Sequence, residues 1–103
     1  MILRIQKATY LAQYRLELIF HEDMVRIVDL SNELKGEIFE PLKNQKYFKN
    51  FQIKTNTLEW KNGVDFAPEY LFLISKPKKS SKAMSEKEQI YFEYVKKLYE
   101  VAS

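Results

Sequence analysis

The run Arg15-Leu16-Glu17-Leu18-Ile19-Phe20 sets the strongest constraint on what this chain can become, because Leu16, Leu18 and Phe20 alternate with Arg15, Glu17 and Ile19. A period of two puts one set on each side of an extended strand, so the run is a half-buried β-strand and not one face of a helix. His21-Glu22-Asp23 interrupts the pattern, and alternation resumes with Val25, Ile27 and Asp29 on one side and Arg26 and Val28 on the other. Two such runs around a short polar break form an antiparallel hairpin. Ile2 to Tyr10 has the same β-branched and aromatic character, which extends the N-terminal half to a three-stranded meander.

The rest of the chain adds short helices and a second hairpin. Ser31 can cap a helical turn that Gly36 ends, and Pro41 is tolerated at the first position of a short helix running to Asn50 and burying Leu42 with one or both of Tyr47 and Phe48. Phe51 and Ile53 face Leu58 and Trp60 across Thr55-Asn56-Thr57, which predicts two more strands. Asn62-Gly63 is the strongest tight-turn pair in the chain, Val64-Asp65-Phe66 follows as a brief strand, and Pro68 starts a helical turn through Tyr70, Leu71 and Phe72. Ser75 to Ala83 has the lysine- and serine-rich composition of a solvated linker. Ser85-Glu86-Lys87-Glu88 then matches a capping box. Tyr91, Tyr94, Val95, Leu98 and Ala102 recur at helical spacing, predicting a final helix from Glu86 to Val101, with Ile90 and Phe92 off its main stripe. The expected architecture is α+β: a small antiparallel sheet, built as an N-terminal meander plus a later hairpin, with short helices and a C-terminal helix. It divides into a domain over residues 1–75, a linker over 76–84 and an amphipathic helix over 85–103.

Composition limits the function classes. With 46% hydrophobic and 15% aromatic residues against two glycines and three prolines, the 103-residue chain is expected to pack one core without help from a metal or cofactor. The absence of cysteine removes disulfides and thiolate chemistry and suits a reducing compartment. Met1 to Lys7 lacks the apolar run of a signal peptide and no stretch approaches membrane-spanning length, so a cytoplasmic protein without a membrane segment is expected. A net charge of +3 is too small to make nucleic acid the default partner. The excess is nevertheless local, because Lys76, Lys78, Lys79 and Lys82 precede the next acidic residue, Glu86.

Tyr14-Arg15-Leu16, Val28-Asp29-Leu30, Phe39-Glu40-Pro41-Leu42, Tyr47-Phe48 and above all Trp60-Lys61-Asn62-Gly63-Val64-Asp65-Phe66-Ala67-Pro68-Glu69-Tyr70-Leu71 resemble the bacterial family catalogued as domain of unknown function 2442 (DUF2442). The resemblance covers roughly residues 1–74 and implies a small α+β fold without an established activity. Members are often encoded beside short toxin-like partners, and some carry a helix-turn-helix domain, which implies an antitoxin-like or regulatory adaptor role. This chain departs from the pattern at His21-Glu22-Asp23-Met24, where an Asp-Gly-like pair is usual, and in carrying one tail helix in place of a helix-turn-helix.

Several residue groups are candidates for function. Trp60, Asn62, Asp65 and Glu69 can form a recognition patch on a rigid turn with Trp60 as its aromatic anchor; turn chemistry, capping of the Pro68 helix by Asp65 and a core role for Trp60 explain the same residues. Tyr91, Phe92, Tyr94 and Tyr99 make the tail helix unusually aromatic, so part of it can bury against a protein partner or a second copy, or wholly against its own domain. Lys76, Lys78, Lys79 and Lys82 can supply a salt-sensitive accessory contact to nucleic acid. His21, Glu22 and Asp23 form a polar solvated turn in preference to a metal site, and neither His21 nor the Asp65 and Glu69 carboxylates make a convincing acid/base set. The expectation is a non-enzymatic protein-interaction module with no small-molecule substrate, and nucleic-acid binding through the lysines is the alternative.

Overall fold

The computed structural model describes residues 2–78 and 84–100. The three alternating runs form β1 (Ile5–Ala12), β2 (Arg15–Phe20) and β3 (Met24–Asp29), joined as an antiparallel meander by tight turns. The β2–β3 turn is the three residues His21–Asp23, with Glu22 at φ 60° and Asp23 at φ 58°. Both sit in the left-handed region, where an Asp-Gly-like pair carries less strain than two side chains. A fourth strand, β6 (Lys76–Pro77), pairs antiparallel with β3, giving the order β1-β2-β3-β6. The first residues of the expected solvated linker are therefore part of the sheet, because β3 presents a free edge that the chain reaches directly after its second helix.

Two bulges, between Ile5 and Lys7 and between Tyr10 and Ala12, interrupt the register of β1 on β2. Beyond β1 lies a separate hairpin, β4 (Gln52–Lys54) and β5 (Thr57–Glu59), turned at Thr55 and Asn56 with φ of 53° and 70°. Asn56 O accepts the Ile5 N–H at 2.9 Å and ties this hairpin to the start of β1.

The helices pack on one face of the larger sheet. Pro41 lies inside a 3-10 segment, Glu37–Lys43, and the α-helix α1 (Gln45–Lys49) starts afresh behind Asn44, whose Oδ1 accepts the Tyr47 N–H at 3.1 Å. The expected helix from Pro41 to Asn50 is thus two pieces: Asn44 adopts an extended ψ of 121° and caps the second. Helix α2 (Pro68–Ile74) begins with Pro68 in its first turn but has no side-chain cap, so Asp65 does not serve as one; Asp65 instead makes a single bridge to Glu59. Ser31 donates its backbone N–H to Asp29 Oδ1 in a turn and starts no helix.

Leu16, Leu18, Phe20, Met24 and Val28 from β2 and β3 meet Leu42, Phe48, Leu58, Trp60, Leu71, Phe72 and Val95 in one core. The tail helix α3 (Glu86–Glu100) closes that core with Val95, which is fully buried. No helix among the described residues is long and apolar enough to cross a membrane.

Candidate functional site

Trp60 lies at the bottom of the fold and not on its surface. It is 1% exposed, its indole N–H donates to Phe48 O at 2.8 Å, and its ring meets Phe48, Phe51 and Phe66 at centroid distances of 5.6 to 6.2 Å. It offers a partner no side-chain surface, because β5 turns it inward beside buried Leu58. Asn62 is turn chemistry: its Oδ1 accepts the Val64 N–H and its Nδ2 donates to Ile38 O, while Gly63 at φ 87° lets the chain reverse so that Trp60 N–H reaches Val64 O. Asp65 is exposed and Glu69 half-buried at the start of α2. The dense Trp60–Glu69 segment is therefore largely a device for bringing Trp60, Val64 and Phe66 into the core.

The residues 5–77 match the family described as a protein of unknown function, DUF2442. This chain belongs to the DUF2442 family. The matched span ends at Pro77, the last residue of β6, so the family unit is the two sheets with their helices and leaves α3 outside it. Neither a search of curated proteins nor one of solved structures found a match.

In this DUF2442 chain, α3 is fastened to the domain by polar contacts that sequence reasoning missed. Arg26 points from β3 into the core at 1% exposure. Its Nε donates to Ser75 Oγ at 2.6 Å, its Nη2 to Ser75 O at 2.7 Å and its Nη1 to Glu88 Oε2 on α3 at 3.0 Å. The guanidinium also lies 4.2 Å from the centroid of Phe72. Burial pushes the Arg26 guanidinium down from its ordinary pKa, and Glu88 opposes that shift. One step along, His21 is 6% exposed, not part of a solvated turn. Its Nδ1 accepts the Arg4 N–H at 3.2 Å, so Nε2 carries the proton and donates to Tyr91 Oη at 2.9 Å. The strand spacing that puts Arg26 on the same side as Met24 and Val28 was the available signal for a buried arginine.

The aromatic residues of α3 divide accordingly. Tyr91, Phe92 and Tyr94 are half-buried against the core, so Phe92 belongs to the docked face and not to a surplus one. The docked face carries Glu88 and Tyr91, which meet Arg26 and His21, beside the fully buried Val95. Tyr99 is 36% exposed beside Tyr70, Ile90 is 50% exposed and Leu98 45%. Ser85 Oγ accepts the Glu88 N–H at 3.2 Å, but Glu88 spends its carboxylate on Arg26 as well as on Ser85.

The opposite face of the sheet carries an apolar group that none of the described helices covers. The register places Lys7, Ile19 and Val25 in one cross-strand row, Thr9, Glu17, Ile27 and Lys76 in the next, and Ala12, Arg15 and Asp29 in a third. Ile19, Val25 and Ile27 are half-buried yet stand apart from the core cluster, forming an aliphatic centre within a charged border. The described helices contact the other face, through Phe48 to Tyr10, Phe72 to Phe20 and Glu88 to Arg26. Of the lysines singled out earlier, Lys78 pairs with Glu17 at 2.7 Å on this border and Lys76 stands exposed opposite Ile27, while Lys79 and Lys82 fall outside the described residues.

Among the described residues no three His, Asp or Glu side chains are placed to hold a metal ion. A shallow depression of about 300 Å³ is lined by Asn50, Phe51, Gln52, Glu59 and Lys61, but none of its polar side chains is buried and Glu59 faces Lys54 at 3.7 Å.

Proposed function

We propose that this DUF2442 chain is a non-enzymatic protein-interaction module, acting in a reducing cytoplasm as an antitoxin-like or regulatory adaptor. The observation that carries the reading is the open sheet face, where Ile19, Val25 and Ile27 form an aliphatic centre ringed by charge. An apolar centre with a polar rim is the anatomy of a protein interface. The antitoxin-like form of the proposal rests on the family resemblance alone. Ile90, Leu98 and Tyr99, all exposed on α3, supply a second and smaller contact surface.

The reading is tested by placing a photo-crosslinking residue at position 27, at position 98 and, as a control, at exposed Lys46, in the native cell. A discrete protein adduct from position 27 and none from position 46 is the expected outcome; adducts from neither 27 nor 98 would remove the proposal. Nucleic-acid binding ranks second, since Glu17 already neutralises Lys78. It predicts oligonucleotide affinity that falls steeply as salt rises.

A further inference from the structure

We propose that the open sheet face binds an acidic amphipathic helix of a partner protein, laid along the strands over β2 and β3. This inference rests on the protein-interaction reading and adds what the partner must look like. Ile19 and Val25 are direct cross-strand partners and Ile27 follows two residues along β3, so the apolar centre runs along the two middle strands.

Positive charge flanks it on both sides: Lys7 on β1, Lys76 on β6, and Arg15 at the end of the centre. Among the described residues none of these three has an ion-pair partner. Of the two acidic residues on this face, Glu17 is already neutralised by Lys78 and Asp29 stands at the far end, across from Arg15. β1 and β6 are three strand spacings apart, roughly 14 Å. A helix with side chains is about 10 Å across. It fits between the two lysines, presents an apolar seam to Ile19, Val25 and Ile27, and places carboxylates on its flanks within reach of Lys7 and Lys76.

Two other occupants match less well. A second copy of a chain whose net charge is +3 would bring like charge to a basic border. Nucleic acid would meet the lysines, but the three rows of this face contain no aromatic ring on which a base could stack.

The test uses the full-length chain, labelled with nitrogen-15 and titrated with synthetic amphipathic helical peptides of about five turns. One carries glutamates beside a leucine seam, the second carries lysines in their place, and a single-stranded oligonucleotide serves as the third probe. The acidic peptide should shift the amide signals of Lys7, Ile19, Val25, Ile27 and Lys76. It should bind roughly tenfold or more tightly than the basic one, and lose a similar factor in the Lys7→Glu/Lys76→Glu double variant. An Ile27→Thr variant keeps a β-branched residue at this half-buried position, and its melting temperature, measured beside its affinity, separates a lost contact from lost folding.

Equal affinity for the two peptides, shifts confined to α3, binding of the oligonucleotide alone, or broadening of the same signals with protein concentration and no peptide would each overturn the proposal. A protein adduct at position 27 without preference for the acidic peptide would remove the acidic helix and leave the interaction module. Absence of both would remove both.

Discussion

Arg26 brings a full charge onto the core side of β3, where Ser75, Glu88 and the Phe72 ring surround it. Removing Arg26 leaves Glu88 part-buried and without its partner. Arg26→Met should therefore cost about 3–5 kcal/mol, whereas the Arg26→Met/Glu88→Leu double variant, with neither charge, should recover most of the loss. Urea unfolding followed by the fluorescence of Trp60, the chain's one tryptophan, measures both; a single-variant cost no larger than that of an ordinary surface change would contradict the assignment. Tyr70 gives a pH signature. Its hydroxyl donates to Glu33, and that hydrogen bond first, then burial and the charges of Glu33 and Tyr99, pushes its pKa up to about 12. The folded state thus holds a proton that the unfolded state releases near its ordinary value of 10.0. The resulting stability is fully present below that value and is lost as pH rises from it toward about 12. Replacing Tyr70 by Phe should flatten this part of the alkaline stability curve in urea titrations at a series of pH values.

At the scale of elements, the β2–β3 turn carries strain, with Glu22 and Asp23 both at positive φ. Asp23 at φ 58° has a β-carbon in a region that glycine occupies freely. Asp23→Gly should raise stability by about 1 kcal/mol, read as a higher melting temperature, provided the turn geometry and not the aspartate charge is what matters. An Asp23→Asn variant, which removes the charge and keeps the β-carbon, should give a smaller gain. The turn also delivers His21 to Tyr91, so it acts as a strut between sheet and tail as well as a reversal.

For the molecule as a whole, α3 lies outside the family span yet completes the core. A chain ending at Lys78 would lose Glu88 from Arg26, Tyr91 from His21 and the fully buried Val95. Val95 alone is worth about 1.5–3 kcal/mol of burial. Such a truncation should unfold at clearly lower urea than the full chain, again by Trp60 fluorescence; equal midpoints would show α3 to be an appendage. Substitutions on the open face, by contrast, should leave stability nearly unchanged while altering binding. That separates the surface bearing function from the surface bearing the fold.

What the amino-acid order determined by itself was local. The period of two in Arg15–Phe20 and again from Val25, the break at Thr55-Asn56-Thr57, the turn pair Asn62-Gly63, Pro68 opening α2, and the capped run from Glu86 were all legible, because strand pleat, positive φ and helix ends depend on neighbouring residues. The α+β class followed from the same signals, and the family from the resemblance carried above all by Trp60 to Leu71. Only the tertiary structure decided that Trp60 is core, that His21 is buried, that Phe92 faces inward, and that β6 joins the sheet while the described helices cover only one of its faces. The physical reason is separation along the chain. Arg26 meets Glu88 across 62 positions and His21 meets Tyr91 across 70, so the burial that consumes some polar side chains and spares others is set by contacts outside any local window.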